Sequence, residues 1–241
     1  MPLTIVTGGT RGIGAAVAAR LAGAGHDLVL GHRADSASAR AVVASLEASG
    51  VRCAAVAGDV TTDAGIDALL DAADRMGELT GLVNNAGATY RFAPLVDTPA
   101  EEVRRTVEVN LTAPMLVARA AVERMGAGGV VVNVTSGAAT LGSPGEYVHY
   151  AAAKAGLDLF TRGLGLEVAG RGIRVVAVAP GLVETELHAT TGDPGRLPRM
   201  APQVPLGRAG QPEEIAEAVA WLMSDAASYV TATTLRVAGG R

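Results

Sequence analysis

Short β-branched runs alternate with longer amphipathic stretches from one end of the chain to the other. The runs lie at Leu3 to Thr7, Asp27 to Gly31, Arg52 to Ala57, Gly81 to Asn84, Gly129 to Thr135, Ile173 to Ala179 and Thr234 to Val237, and each reads as a strand. Several are apolar without alternation, as in "VVVNV" and "RVVAVA", which is the pattern of strands covered on both faces. Between them apolar residues recur at helical spacing over Gly12 to Ala24, Ser36 to Ser49, Thr62 to Met76, Pro99 to Met125, Val148 to Ala169 and Pro212 to Ser224. Each stretch is long enough to cross over a sheet. Regular alternation of this kind predicts an α/β fold, a doubly wound, seven-stranded parallel sheet with helices on both faces. No internal repeat and no shift of composition marks a linker, so 1–241 is expected to form one domain.

One tract resists the pattern. Gly181 to Gly210 is rich in Gly, Pro, Thr and Arg and contains "TTGDPGRLP". Structureless connections beyond ~12 to 15 residues are usually lids, binding loops or disordered, so a substrate lid with short helices is expected around 184–210, with an ordinary surface excursion as the plainer alternative.

Composition narrows the class. Of 241 residues 49% are apolar and 18% charged, which excludes disorder, collagen and coiled coil. Aromatic residues are only 3%, so any aromatic in a pocket stands out. The net charge of −4, without a basic run, argues against a nucleic-acid partner. Metal-ligand spacings are missing too, and Cys53, the single cysteine, permits no internal disulfide. Neither a basic leader nor an apolar run of ~18 residues is seen, so a cytoplasmic protein without membrane contact is expected.

Candidate chemistry begins directly after the first run, where "TGGTRGIG" places Gly8, Gly12 and Gly14 between a strand and a helix. Glycines let the backbone approach a pyrophosphate, and the helix start presents free N–H groups and a partial positive charge. His32 and Arg33 stand at the end of the second strand, Arg33 directly following it. An acidic residue there would take the ribose 2′-hydroxyl of NAD and an arginine the 2′-phosphate of NADP. Arg33, with Arg11 in the glycine turn, favours NADPH/NADP+ over NAD(H). Solvated arginines, with Asp35 as a helix cap or ribose ligand, form the competing reading.

With "NNAG" at 84–87, Asn110 in "VNLTAP", Ser136 in "NVTSG" and "YAAAK" at 150–154, the chain resembles the short-chain dehydrogenase/reductase family from Pro2 to Gly240. Within that family it is similar to the single-domain, 3-oxoacyl-thioester reductase-like branch, which has a Rossmann fold. Tyr150 and Lys154 lie four apart on a predicted helix and so share one face. An ammonium within ~4 to 6 Å favours the phenolate of a group whose reference pKa is ~10, bringing it toward a useful range. The resemblance implies that Tyr150 is the general acid and that Lys154 also binds the nicotinamide ribose. It further implies that Ser136 holds the substrate carbonyl oxygen and that Asn110 anchors a water in a proton relay. Tyr147 has no lysine four residues on and is set aside as the acid.

Further cofactor contacts carry over from the same resemblance. Thr10 and Ile13 belong to the glycine turn, Asp59 and Val60 resemble an adenine-binding pair, and Asn85, Ala86 and Gly87 border the cofactor. Pro180, Gly181, Val183 and Thr185 resemble the segment that orients the carboxamide. A homo-oligomer is also implied, a tetramer or else a dimer. The activity implied is NADPH-dependent reduction of a ketone or aldehyde, with 3-oxoacyl or polyketide-type carbonyls as first guess. Alternatives are an NAD(P)-dependent alcohol or sugar dehydrogenase and a non-catalytic NADP-binding sensor, which would have lost the tyrosine or lysine. The substrate pocket is expected between 88–94, 144–149 and 184–204, with Tyr90, Arg91, Phe92, Tyr147, His149 and His188 as candidates.

Overall fold

The computed structural model describes residues 1–34, 36–185, 193 and 195–241. Asp35, His188 and most of the irregular tract's first half lie outside the described residues. Seven strands form one sheet: β1 (Leu3–Thr7), β2 (Asp27–His32), β3 (Cys53–Ala57), β4 (Leu79–Asn84), β5 (Val130–Val134), β6 (Arg174–Pro180) and β7 (Thr233–Val237). Their order is β3-β2-β1-β4-β5-β6-β7, with every neighbouring pair parallel. The winding reverses between β1 and β4, and the loops leaving those two strands part there to open a crevice at the carboxyl edge.

The helices are α1 (Gly12–Ala22), α2 (Ser36–Glu47), α3 (Asp63–Met76), α4 (Ala100–Val107), α5 (Ala113–Arg124), α6 (Ala138–Leu141), α7 (Val148–Val168), α8 (Arg196–Met200) and α9 (Pro212–Met223). The two-residue period of a strand decides which side each valine of β5 serves. Val130, Val132 and Val134 pack with Val17 and Leu21 of α1 and Val219 and Leu222 of α9. Val131 packs on the other face with Leu69 and Leu70 of α3 and Val117 of α5. Each such side chain stabilises the fold by about 1.5–3 kcal/mol relative to exposure.

The polar residue of β5, Asn133, is wholly buried and fully used. It accepts from Asn84 Nδ2 at 3.0 Å and donates to Thr161 Oγ1 of α7 at 2.9 Å, while Asn84 also donates to the Pro114 carbonyl at 2.9 Å. A buried amide left unpaired would cost about 1–3 kcal/mol, so this chain of bonds holds β4, β5, α5 and α7 in one relative position beneath the crevice.

Two differences from the expected elements bear on the site. The stretch expected as one helix from Pro99 to Met125 is α4 and α5 joined by a π-helical turn, Glu108–Thr112. Pro114 lacks the N–H that would bond the Asn110 carbonyl in a continuous α-helix. The fifth strand stops at Val134, one residue early, so Ser136 stands beyond the strand in the turn before α6.

Candidate active site

The glycine turn is shaped from both sides. Gly8 has φ +63°, a region where side chains are strained, and Thr7 before it is the hub of a bond cluster. Thr7 Oγ1 accepts from the Asn85 and Ala86 N–H groups, each at 3.0 Å, and Asn85 Nδ2 donates to the Thr7 and Gly8 carbonyls at 3.0 and 3.1 Å. The end of β4 is thereby stapled to the turn after β1. No side chain caps the start of α1, so its first N–H groups and the positive end of its dipole stay available at the turn.

A cavity of about 1080 Å3 runs from this turn across the carboxyl edge of the sheet. Its half at the glycine turn is lined by Gly8, Thr10, Arg11, Gly12 and Ile13, by His32 and Arg33, and by Asp59 and Val60. Asn85, Ala86 and Gly87 form its middle, with Pro180, Gly181, Val183 and Thr185 across from β6. Hydrogen bonds from Thr61 hold the Asp59 carboxyl below the usual carboxylate range, helped by the charges of Arg33 and Arg105. Arg105 of α4, which lies over the Tyr90 ring at 5.2 Å, is a cavity residue that the sequence motifs did not reveal. His32 is buried, with Nδ1 lacking a protein partner.

Gly14 and Asn110 are site residues by motif that do not line the cavity. Gly14 lies under the turn, packed on Gly8 and Asn85. Asn110 is fully buried in the π-helical turn, where Nδ2 donates to the Ala88 and Thr106 carbonyls at 2.8 and 2.9 Å and Oδ1 accepts from the Ala88 N–H at 3.3 Å. Its amide is spent on the backbone and fixes the loop that carries Gly87 and Ala88.

Ser136, Tyr150 and Lys154 meet in the middle of the cavity. Tyr150 is hydrogen-bonded to Ser136, whose Oγ also accepts from the Ala138 N–H at 3.1 Å. Lys154 donates from Nζ to the Val134 carbonyl at 2.9 Å and lies 5.8 Å from the centre of the Tyr150 ring. Burial pushes the Tyr150 hydroxyl above its ordinary value, against the opposing bond from Ser136. This differs from the expectation that the ammonium would draw it down: burial of the phenolate sets the direction of the shift. Burial also lowers Lys154 to about 8, opposed by the charge of Asp158.

The substrate side holds most of the chain's few aromatics. Phe92 and Tyr147 stack at 4.7 Å, and Tyr147 meets Tyr150 edge-on at 5.2 Å. Arg196 of α8 lies 4.6 Å from the Phe92 ring centre, grips Glu146 with two hydrogen bonds of 2.5 and 2.8 Å, and donates to the Tyr147 hydroxyl at 3.3 Å. A buried guanidinium thus ties the described part of the irregular tract to the loop before α7. Tyr90 and Arg91 line the cavity as expected, whereas His149 does not. It is buried on α7, its pKa lowered by burial against the charge of Glu102 on α4. Among the described residues no cluster of metal-binding side chains occurs, and no helix is long and apolar enough to cross a membrane.

A glycine turn at an uncapped helix start and a buried tyrosine beside a lysine thus open onto one cavity; the protein is an NAD(P)-dependent oxidoreductase of the doubly wound α/β class. More particularly, the chain belongs to the short-chain dehydrogenase/reductase family and is closely related to its 3-oxoacyl-(acyl carrier protein) reductase branch. Residues 8–241 match the family model described as enoyl-(acyl carrier protein) reductase. The uncharacterized oxidoreductase YgfF of Escherichia coli (strain K12) is 42% identical, with all of both chains covered. A short-chain dehydrogenase from Burkholderia cenocepacia J2315, solved in complex with NADP, superposes with a TM-score of 0.93 at 33% identity, covering 99% of this chain and 97% of that one. A 3-ketoacyl-(acyl-carrier-protein) reductase from Brucella melitensis, solved with NADH, gives 0.91 at 32% identity over 100% and 98%.

Proposed function

We propose that the protein reduces a ketone or aldehyde to the alcohol with NADPH, and that 3-oxoacyl or polyketide-type carbonyls are its first substrate class. The observation that carries this reading is the burial of Tyr150 beside Ser136 and Lys154 in the cavity that the glycine turn also lines. A neutral phenol at that position can give its proton to an alkoxide emerging beside it, as reduction requires. The 3-oxoacyl class is supported by the likeness to the Brucella reductase.

The residues fit the cofactor. Gly8, Gly12 and the uncapped start of α1 form a cradle for a pyrophosphate, and Asp59 and Val60 stand where an adenine would rest. Bound there, NADPH supplies the hydride. Ser136 orients the substrate carbonyl, Tyr150 gives its proton to the emerging alkoxide, and the Lys154 ammonium stabilises the charge left behind. Asn110 acts by fixing the loop beside Lys154. Arg196 and its aromatic shelf form the described part of the substrate lid. Met115, Leu159 and Leu166, exposed on α5 and α7, support self-association through those helices, in keeping with a tetramer.

Loss of NADPH absorbance on addition of ethyl acetoacetate or an acetoacetyl thioester tests the activity; no turnover with any carbonyl would sink it. NADP preference is tested separately. Arg33 and Arg105 both bear on Asp59, and Arg11 lines the same corner, so a 2′-phosphate would meet strong positive potential. Arg33→Ala is expected to weaken NADPH binding about tenfold, equal to about 1.4 kcal/mol, and to leave NADH nearly unchanged in fluorescence titrations. Equal losses for both nucleotides would remove the phosphate from this corner.

A further inference from the structure

Asp158 is a charged residue that the roles above leave unused. It follows Lys154 by one helical turn, as Lys154 follows Tyr150, so the three share one face of α7. Its half-buried carboxylate accepts from Thr234 Oγ1 of β7 at 3.0 Å, and Thr135 lies nearby with its hydroxyl given to the Val178 carbonyl at 3.2 Å. Thr135 directly follows Val134, whose carbonyl takes the Lys154 Nζ. A threonine of β7 therefore holds the carboxylate on the helix face that carries the lysine.

We propose that Asp158 is a positioning residue of the proton-transfer group: its carboxylate, held by Thr234 one helical turn after Lys154, is the counter-charge that keeps the Lys154 ammonium charged beside Tyr150. This rests on reading Lys154 as the partner of Tyr150. Asp158 faces Lys154 on its own helix and Arg236 on β7, and Lys154 faces Asp158 and Tyr150. Burial drives Lys154 to lose a proton and Asp158 to gain one, and the charge of each works against the shift of the other. The sign of a substitution follows. Without the carboxylate charge the ammonium surrenders its proton at lower pH, and the site loses its positive charge while Tyr150 still holds its own proton.

The chain offers a direct reporter, because Lys154 is its only lysine. Lysine labelled with carbon-13 at Cε gives one NMR signal whose shift follows protonation without any assignment. Wild type is expected to titrate with a midpoint of about 8. In Asp158→Asn the midpoint is expected to fall by about one pH unit, and the alkaline limb of kcat/KM for NADPH-dependent reduction of ethyl acetoacetate to fall with it. A purely structural role would leave the midpoint where it was, and an unchanged midpoint in the folded variant overturns the proposal.

Should Asp158→Asn not fold, the wild-type signal still decides. Coupling to Asp158 requires a second, smaller inflection on the acid side as that carboxylate takes up its proton, and a flat acid range overturns the proposal. A midpoint that moves in a protein whose wild type reduces no carbonyl supports the Asp158 and Lys154 coupling and sinks the functional reading instead.

Discussion

Tyr150→Phe is expected to lower carbonyl reduction by about 10²- to 10⁴-fold, the contribution of one positioned acid, with NADPH affinity and thermal stability close to wild type. Only the hydroxyl is removed. The ring keeps its place against Ala138 and Ala151, and its edge still meets Tyr147. The hydroxyl's bond to Ser136 is lost, but Ser136 Oγ remains held by the Ala138 N–H. Steady-state rates with NADPH, set beside a fluorescence titration of the same variant, separate loss of chemistry from loss of binding. Activity within a few fold of wild type would move the acid elsewhere. Tyr147 is a poor substitute, since its hydroxyl is engaged by Arg196 and no lysine follows it by one turn.

The legible parts of this fold and site are the local ones. Valine-rich strands buried on both faces, the glycine turn and the four-residue spacing of Tyr150 and Lys154 each express a rule acting within a few residues, and the structure shows all three. The π-helical turn was hidden because Asn110 gives no local warning that its side chain will take the Thr106 and Ala88 carbonyls. Arg105, Arg196 and Asp158 were hidden for a related reason. Each owes its meaning to a partner far along the chain, whether Asp59, Glu146 or Thr234, and a surface-like arginine or aspartate carries no mark of that partner. The raised Tyr150 belongs to the same class. Spacing showed that a lysine is near, but only the packed structure shows how completely water is removed from the ring.

Gly14→Ala is expected to be strongly damaging at the glycine turn. A Cβ built there would stand 2.1 Å from the Gly8 carbonyl oxygen and 2.5 Å from Asn85 Nδ2. The first of these is backbone, and the second is the group that staples the glycine turn to β4, so neither can yield without opening the turn. Overpacking of this kind costs about 3 kcal/mol, which for a chain of this length lowers Tm by about 6–12 °C. Dinucleotide binding is expected to fall with it, because the anion cradle is the same backbone. Gly23→Ala, at the other end of α1, is the control. Gly23 has φ −62°, and its added methyl meets no atom closer than 3.6 Å, so stability should hold or rise by about 0.5 kcal/mol. If Gly14→Ala melts and binds NADPH as Gly23→Ala does, the turn can relax around a methyl group. The third glycine of the motif would then be dispensable, and the tight stacking of Gly14 on Gly8 would not be what shapes the nucleotide site.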